Sequence, residues 1–367
     1  LKTMVISSDQ STPSFPRTVL VTGGAGFIGS NFVRHWCRHH PLDRVIVVDA
    51  LTYAGNRDSL ADLEAQANLR FVQGNICDRG LIDTLLAEES INTVAHFAAE
   101  SHVERSILQP DALVQTNVVG TVTLLEAFYQ DWSIAGKPDS YRFLHVSTDE
   151  VYGSLGPGDL PFSETTPYAP NSPYSASKAG SDHLARAYFH TYGLPTLITN
   201  CSNNYGPYHF PEKLIPLMCI NILLGKPLPV YGDGQNIRDW LYVEDHCEAL
   251  DVVIQKGQPG ETYNIGGNNE VRNIDLVTQL CKVMDDLAAD LPVSPSTQLI
   301  NFVKDRPGHD RRYAINATKV YEDLGWKAQT TVEEGLTKTA KWYLNHKDWW
   351  EPLLSEEYQI YYQKVYS

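Results

Sequence analysis

The chain has 367 residues, 43% hydrophobic and 20% charged, with 29 Lys and Arg against 44 Asp and Glu and a formal charge of −15. That length suits two domains, or one large α/β domain with additions. So acidic a chain excludes a nucleic-acid-binding surface, which needs clustered Lys and Arg to neutralise phosphate, and any anionic ligand must be held by a local pocket.

Leu1–Pro16 reads as a loose polar tail, without the charged start and apolar core of a signal peptide. No apolar run reaches membrane-spanning length, so no membrane partner is expected. "RTVLVTGGAGFIGSNFVRHW" then opens with a β-branched strand, Thr18 to Thr22. Gly23, Gly26 and Gly29 follow in GxxGxxG spacing, and Ile28, Phe32 and Trp36 repeat every four residues on one helix face. Pro41 closes that helix. Glycines between a strand and a helix let backbone approach a pyrophosphate, with the helix N-terminus facing the negative charge. The next strand, "RVIVVDA", ends in Asp49, roughly twenty residues past the last glycine. A carboxylate there accepts from a ribose 2′-OH and repels a 2′-phosphate, favouring NAD over NADP.

Alternation continues through "LRFVQGNICD" (strand and loop), "LIDTLLAEES" (helix), "TVAHFAAES" (strand), "ALVQTNVVGTVTLLEAFYQ" (long helix) and "YRFLHVSTDE" (strand). It predicts a doubly wound parallel sheet, in which ligands bind beyond the carboxyl ends of the strands. Asp149 and Glu150 stand at one such end. In "SPYSASKAGSDHLARAYFHTYG", Tyr174 and Lys178 lie one helical turn apart on one face. A nearby ammonium stabilises a phenolate, so the pair can take a proton from a hydroxyl while a hydride leaves the same carbon. From about Asn203 the alternation breaks down. "FPEKLIPLMCINILLG" is an apolar helix entered through Pro211, with Lys213 near its start. "KDRPGHDRRY" gathers Arg306, His309, Arg311 and Arg312, and Arg offers a planar fork to phosphate oxygens. The Trp- and Tyr-rich "KWYLNHKDWWEPLL" reads as a packing helix. Cys37, Cys77, Cys201, Cys219, Cys247 and Cys281 form no CxxC or CxxH pair. No metal site is expected from them, and they read as free thiols suited to a reducing cytoplasm.

A wider resemblance is carried by "TGGAGFIGSN", "DALTYAGN", "GNICD", "AAESHVERSI", "STDEVYG", "YSASKAGSDHL", "NNYGPYHFPEKLIP", "VYGDGQNIRDWLYVEDH" and "DRPGHDRRYAIN", from roughly Val19 to Asn316. On these residues the chain resembles the extended short-chain dehydrogenases/reductases, and within them the nucleotide-sugar 4,6-dehydratases that act on dTDP-glucose. "STDEVYG" with "FPEKLIP" is the specific part, because epimerases and decarboxylases of the superfamily usually lack the Asp–Glu pair. Three positions depart from the family pattern: Ala50 stands where Lys is usual, Asn75 where Asp is usual, and Glu104 where Asp is common.

The resemblance implies a Rossmann sheet with a smaller, mixed α/β C-terminal substrate-binding domain. Residues 17–202 would bind NAD, a segment at about 235–275 would return to that domain, and 203–367 would mainly hold the sugar nucleotide. It implies catalytic roles for Thr148, Asp149, Glu150, Tyr174 and Lys178. Cofactor contacts are implied for Gly23, Gly26, Phe27, Ile28, Gly29, Asp49, Leu51, Thr52, Gly55, Asn75, Ile76, Ala98, Ala99, Ser101, Asn117, Ser147, Tyr174, Lys178 and Asn203. Substrate contacts are implied for Ser101, His102, Thr148, Asn204, Glu212, Lys213, Leu214, Pro229, Tyr231, Arg238, Asn273, Arg306 and His309. Both pyrimidine nucleotides, dTDP and UDP, stay open, as do a 4-epimerase and a non-catalytic NAD-sensing regulator. Family members commonly pair two helices across a two-fold axis. The helices Ala112–Gln130 and Ser175–Tyr192 carry apolar residues on more than one face (Leu124, Leu125, Phe128; Leu184, Tyr188, Phe189), so a homodimer through a four-helix bundle is expected.

Overall fold

The structure, a computed structural model, describes residues 16–101, 110–305, 309–355, 358 and 362. Its centre is a sheet of seven parallel strands. The first six are β1 (Thr18–Thr22), β2 (Arg44–Asp49), β3 (Leu69–Gln73), β4 (Thr93–His96), β5 (Arg142–Thr148) and β6 (Thr196–Cys201). β7 (Asn203–Tyr205), β8 (Leu228–Tyr231) and β9 (Ile237–Tyr242) lie elsewhere, and β10 (Thr262–Ile265) completes the sheet, in the order β10-β6-β5-β4-β1-β2-β3. The strands are near-continuous apolar runs because helices cover both faces. Val19 and Val21 point to a core shared with Phe32 and Trp36 of α1 (Phe27–His39). The intervening Leu20 points to the opposite core, shared with Leu85 of α2 (Arg79–Glu89) and Leu124 of α3 (Thr121–Ile134). Strand order reverses between β1 and β4, and a crevice opens at that point beyond the strand ends.

The long helix expected over 112–130 is not uniform. Pro110–Leu113 is α-helical, Val114–Gly120 is a π-helix, and α3 follows. The wider turn carries Asn117 inward, as π-segments near functional sites do. Helix α4 (Pro173–Tyr192) starts on a capping box formed by Ser172 and Ser175, with Pro173 in its first turn. Such a cap contributes about 1 kcal/mol and fixes where Tyr174 enters the helix.

The second core lies among α5 (Leu214–Leu224), α7 (Asn273–Leu287) and α8 (Val332–Asn345), around Met218, Trp240, Leu280, Leu336 and Tyr343. A three-stranded sheet lies against it, with β9 antiparallel to β11 (Glu270–Arg272) and parallel to β7. In the expected return segment, β10 pairs with β6 in the large sheet, and Val253 and Ile254 of α6 (Val243–Lys256) join the core beside α1. β9 and β11 do not enter the large sheet. The C-terminal Trp349 and Trp350 pack into the second core. Among the described residues no helix is long and apolar enough to cross a membrane, and no His, Cys, Asp and Glu cluster is arranged to hold a metal ion.

A polar clamp joins α1 to α6. Both His35 Nε2 (2.9 Å) and His40 Nε2 (2.8 Å) meet the same oxygen of Asp251. The bond from Asp251 raises the His40 pKa above its ordinary 6.5. Burial alone would raise the Asp251 carboxyl, but the two imidazoles overcome it and hold its pKa below the usual value. The His40 contribution is therefore complete below about pH 6.5 and fades as pH rises through its raised value. The Asp251 contribution is present above about pH 4 and fades in stronger acid. Asp251→Asn should cost about 1–3 kcal/mol at pH 6. Urea unfolding at pH 6 and pH 9 checks this, since the gap from wild type should narrow at the higher pH. An equal gap at both would contradict it.

Candidate active site

At the end of β1, Gly23 has φ +69°, and a Cβ there would sit 2.6 Å from the Ala98 backbone nitrogen. A Cβ at Gly29 would sit 2.2 Å from the Gly23 carbonyl oxygen. No other residue lets this loop pass so close to the end of β4. The loop leads into α1 through Gly26, which provides no side-chain cap, so the first amides of α1 remain available to an anion. Asp49 is 7% exposed and accepts from the amides of Ala25 (2.9 Å) and Leu51 (2.8 Å). Burial raises its pKa, and the two amides oppose that rise. A Cβ at Gly55 would meet its Oδ1 at 2.7 Å.

A single cleft of about 370 Å³ runs from this loop to Lys213. Its wall includes Gly23, Gly26, Phe27, Ile28, Gly29, Asp49, Thr52, Gly55, Asn75, Ile76, Ala98, Ala99, Ser101, Ser147, Tyr174, Lys178 and Asn203, all expected to touch a cofactor. Two other expected contacts stand off the wall. Leu51 supplies its backbone amide to Asp49. Asn117 is 1% exposed, and its amide is occupied by the Glu100 backbone (2.9 and 3.0 Å) and by Ser177 Oγ (2.8 Å). It braces the wall from behind. Ala50 and Asn75, two of the departures, lie on the wall. Asn75 Oδ1 accepts from the Cys77 amide.

The chemistry sits where β5 ends. Thr148 caps the 3-10 turn Asp149–Tyr152, and its Oγ1 accepts from the Glu150 amide (3.3 Å). Asp149 is 2% exposed, and its Oδ2 has no partner among the described residues. Burial, then Glu150, then Asp239 push its pKa well above 3.8, with Arg238 opposing. These surroundings favour the protonated form of the carboxyl. Tyr174 faces Asp149 and Glu150 across the cleft. Lys178 stands one turn along α4 from Tyr174. The Nζ donates to the Val146 carbonyl (2.8 Å), while burial and Glu150 push the Tyr174 phenol well above its ordinary value.

Of the expected substrate contacts, Ser101, Thr148, Asn204, Glu212, Lys213 and Leu214 line the same cleft. Lys213 is the N-cap residue of α5, so Pro211 lies before that helix, and its Nζ reaches the Ser101 carbonyl (3.3 Å). Arg238 is 5% exposed, donates to the Asp310 carbonyl (2.9 Å) and lies over the Tyr313 ring. Pro229 and Tyr231 belong to β8, Asn273 opens α7, and His309 meets Asp305 Oδ1 at 2.6 Å with its ring edge toward Tyr231. These five are not on the cleft wall. His102, Glu104 and Arg306 lie outside the described residues. In the basic cluster, Arg311 pairs with Asp233 (2.9 Å) and Arg312 with Glu270 (2.7 Å), so both forks are occupied by carboxylates. Sequence reasoning missed Tyr53, Glu100, Cys201, His209, Phe210 and Trp240 on the wall. The His209 ring stacks on Phe27 (4.0 Å, 14°), and Tyr53 meets Phe210 edge-on (5.8 Å, 82°). Tyr53 lies within "DALTYAGN" and His209 and Phe210 within "NNYGPYHFPEKLIP", quoted above, which was the available signal.

A parallel sheet with a glycine loop at its switch point, and a Tyr–Lys pair facing the same cleft, define a dinucleotide-dependent enzyme of the short-chain dehydrogenase/reductase class. The sequence model of the GDP-mannose 4,6 dehydratase family matches residues 20–339. The dTDP-glucose 4,6-dehydratase of Neisseria meningitidis serogroup B is 56% identical over 348 residues, covering 94% of this chain and 98% of that one. The structure of dTDP-glucose 4,6-dehydratase from Bacillus anthracis in complex with NAD is 46% identical, with a TM-score of 0.82 over 92% of this chain and 99% of that one. UDP-glucose 4-epimerase of Thermotoga maritima, solved with UDP-glucose, has a TM-score of 0.79 but only 28% identity, over 89% and 99% of the two chains. The chain belongs to the nucleotide-sugar 4,6-dehydratase family, in its dTDP-glucose 4,6-dehydratase branch.

Proposed function

We propose that the chain is an NAD-dependent hydro-lyase that converts dTDP-glucose to dTDP-4-keto-6-deoxyglucose. The observation that carries this reading is the buried Asp149 carboxyl beside Glu150, facing the same cleft as Tyr174 and Lys178. NAD, when bound, would supply the hydride acceptor for sugar C4 and, once reduced, the donor for C6. The backbone cradle at Gly23 and Gly29 and the uncapped start of α1 fit its pyrophosphate, and Asp49 fits a ribose hydroxyl. Tyr174 takes the C4 hydroxyl proton, and Thr148 hydrogen-bonds that oxygen. The C4 ketone acidifies the C5 proton. Glu150 removes it while Asp149, whose surroundings favour its protonated form, protonates the departing C6 hydroxyl, so water is lost; Glu150 gives its proton back to C5 as C6 is reduced, and the proton left on Tyr174 restores that of Asp149 through solvent. Glu212, Lys213 and Leu214 hold the nucleotide end, with Arg238, Asn273 and His309 toward the diphosphate.

The experiment is turnover of dTDP-glucose beside UDP-glucose. Faster loss of water from dTDP-glucose supports the reading, and preference for UDP-glucose overturns its nucleotide.

A homodimer is part of this reading. Leu124, Leu125 and Phe128 are used inside the chain's own core, so they leave nothing for a partner. Val114, Val119 and Tyr192 remain exposed on the π-segment and α4, and Val118 approaches Gly180 across them. A second copy laid on this face would cover them. Sedimentation as a dimer at micromolar concentration is expected, and a monomer would contradict it. The six free thiols suit a reducing cytoplasm.

A further inference from the structure

We propose that Asp182 is a positioning residue of this site: its buried carboxylate is the counter-charge of the Lys178 ammonium and ties α4 to the strand that ends in the two acids. The inference rests on the roles given above to Tyr174 and Lys178.

Asp182 is 2% exposed and stands one turn past Lys178 on the same face of α4. It accepts from Ser147 Oγ (2.9 Å), from the Tyr168 hydroxyl (3.0 Å) and from His145 Nε2 (3.1 Å). His145 can only be the donor in that bond. A carboxylate oxygen only accepts, so Nε2 carries the proton there, while burial, then Lys178, lower the ring's pKa from its ordinary 6.5. The network extends further: Asn200 Nδ2 donates to the Tyr168 hydroxyl (3.1 Å) and to the Thr148 carbonyl (3.4 Å). One carboxylate thus links β5, β6 and α4 directly behind Thr148, Tyr174 and Lys178.

Lys178 is 4% exposed, and its Nζ hydrogen-bonds the Val146 carbonyl rather than a carboxylate. Burial pushes the ammonium toward losing its proton, and Asp182 is the strongest influence resisting that loss, followed by Cys201. The other titratable groups facing this pair are His96 and His145 from the sheet and Tyr152 and Tyr168 from the loops. A histidine is neutral or positive, so neither supplies a negative charge in place of Asp182. A buried ammonium without a counter-charge is costly, and removing one partner exposes that cost. Nothing else in the proposed reaction uses Asp182, which is not itself on the cleft wall.

The sign of the effect follows. Without the Asp182 charge, Lys178 gives up its proton at lower pH. In Asp182→Asn, the alkaline limb of the pH profile for product formation should move down by about one pH unit. Tyr168→Phe removes a hydrogen bond but no charge, and should leave that limb in place. A purely packing role would move the melting temperature and not the limb, so an unmoved limb in folded Asp182→Asn overturns the proposal.

The second measurement is a thermal cycle of wild type, Asp182→Asn, Lys178→Met and the double variant. Each single change strands one buried charge, whereas the double change strands none. The double variant should melt no lower than Asp182→Asn. If Asp182→Asn does not fold, recovery of the fold in the double variant supports the proposal and failure to recover overturns it. Wild-type protein that releases no product from dTDP-glucose would count against the reading of the site instead. The thermal cycle needs no substrate and would still decide the role of Asp182.

Discussion

Glu150→Gln is expected to release product at least about a hundredfold more slowly than wild type while still reducing bound nicotinamide when given dTDP-glucose. Glutamine keeps the side chain's size and removes its basicity. Glu150 is half-buried just past the end of β5, next to a carboxyl whose surroundings favour its protonated form and so make it a poor second base. Oxidation at C4 uses Tyr174 and Lys178, which the substitution leaves in place. The variant should therefore stall between oxidation and loss of water. Single-turnover absorbance of the reduced nicotinamide, read beside product yield, measures both halves. Product at the wild-type rate would return Asp149 and Glu150 to the status of turn residues.

Tyr174→Phe is expected to fail one step earlier, with nicotinamide reduction slowed by about 10²–10⁴-fold and no ketone formed. Only a hydroxyl is removed, and the ring still fills its place in the wall of the cleft. The phenol is held well above its ordinary pKa by burial and by Glu150. Its proton acceptance therefore depends on positive charge brought next to it, from Lys178 and from an oxidised nicotinamide. Retention of NAD on gel filtration separates lost chemistry from lost binding. Reduction at the wild-type rate would place the C4 base elsewhere. The two variants together order the steps, because one accumulates the reduced cofactor and the other never makes it.

What could be read in the sequence was local. The glycine loop, Asp49 at a strand end, the Asp149–Glu150 pair and the Tyr174–Lys178 spacing each lie within one strand–turn or one helix turn, where periodicity fixes direction. Alternation gave the parallel sheet and its strands β1 to β5, whereas β6 was not read and β10 comes from the segment that the resemblance sent back to the sheet. What could not be read depends on segments meeting across the fold. The stack of Phe27 on His209 joins residues far apart in the chain, and nothing local marks it. Asn117 was placed on the cleft, but a π-segment turns its amide inward to Glu100 and Ser177. Arg311 and Arg312 stand in a basic cluster whose carboxylate partners, Asp233 and Glu270, come from segments far away in the chain. Apolar residues on two faces of α3 suggested a partner chain, whereas Leu124, Leu125 and Phe128 are covered by α2, α4 and the sheet. Helix periodicity reports which faces are apolar and not what covers them.

The central claim is that water leaves the sugar across C5 and C6, driven by Asp149 and Glu150. It is tested most directly by the mass and proton spectrum of the nucleotide sugar that wild-type protein makes from dTDP-glucose. The account predicts a product lighter by one water, with a ketone at C4, a methyl group at C6 and no net change in bound NAD. A product of unchanged mass with inverted C4 would show an epimerase, and unaltered dTDP-glucose would show a protein that binds without reacting; either would contradict it.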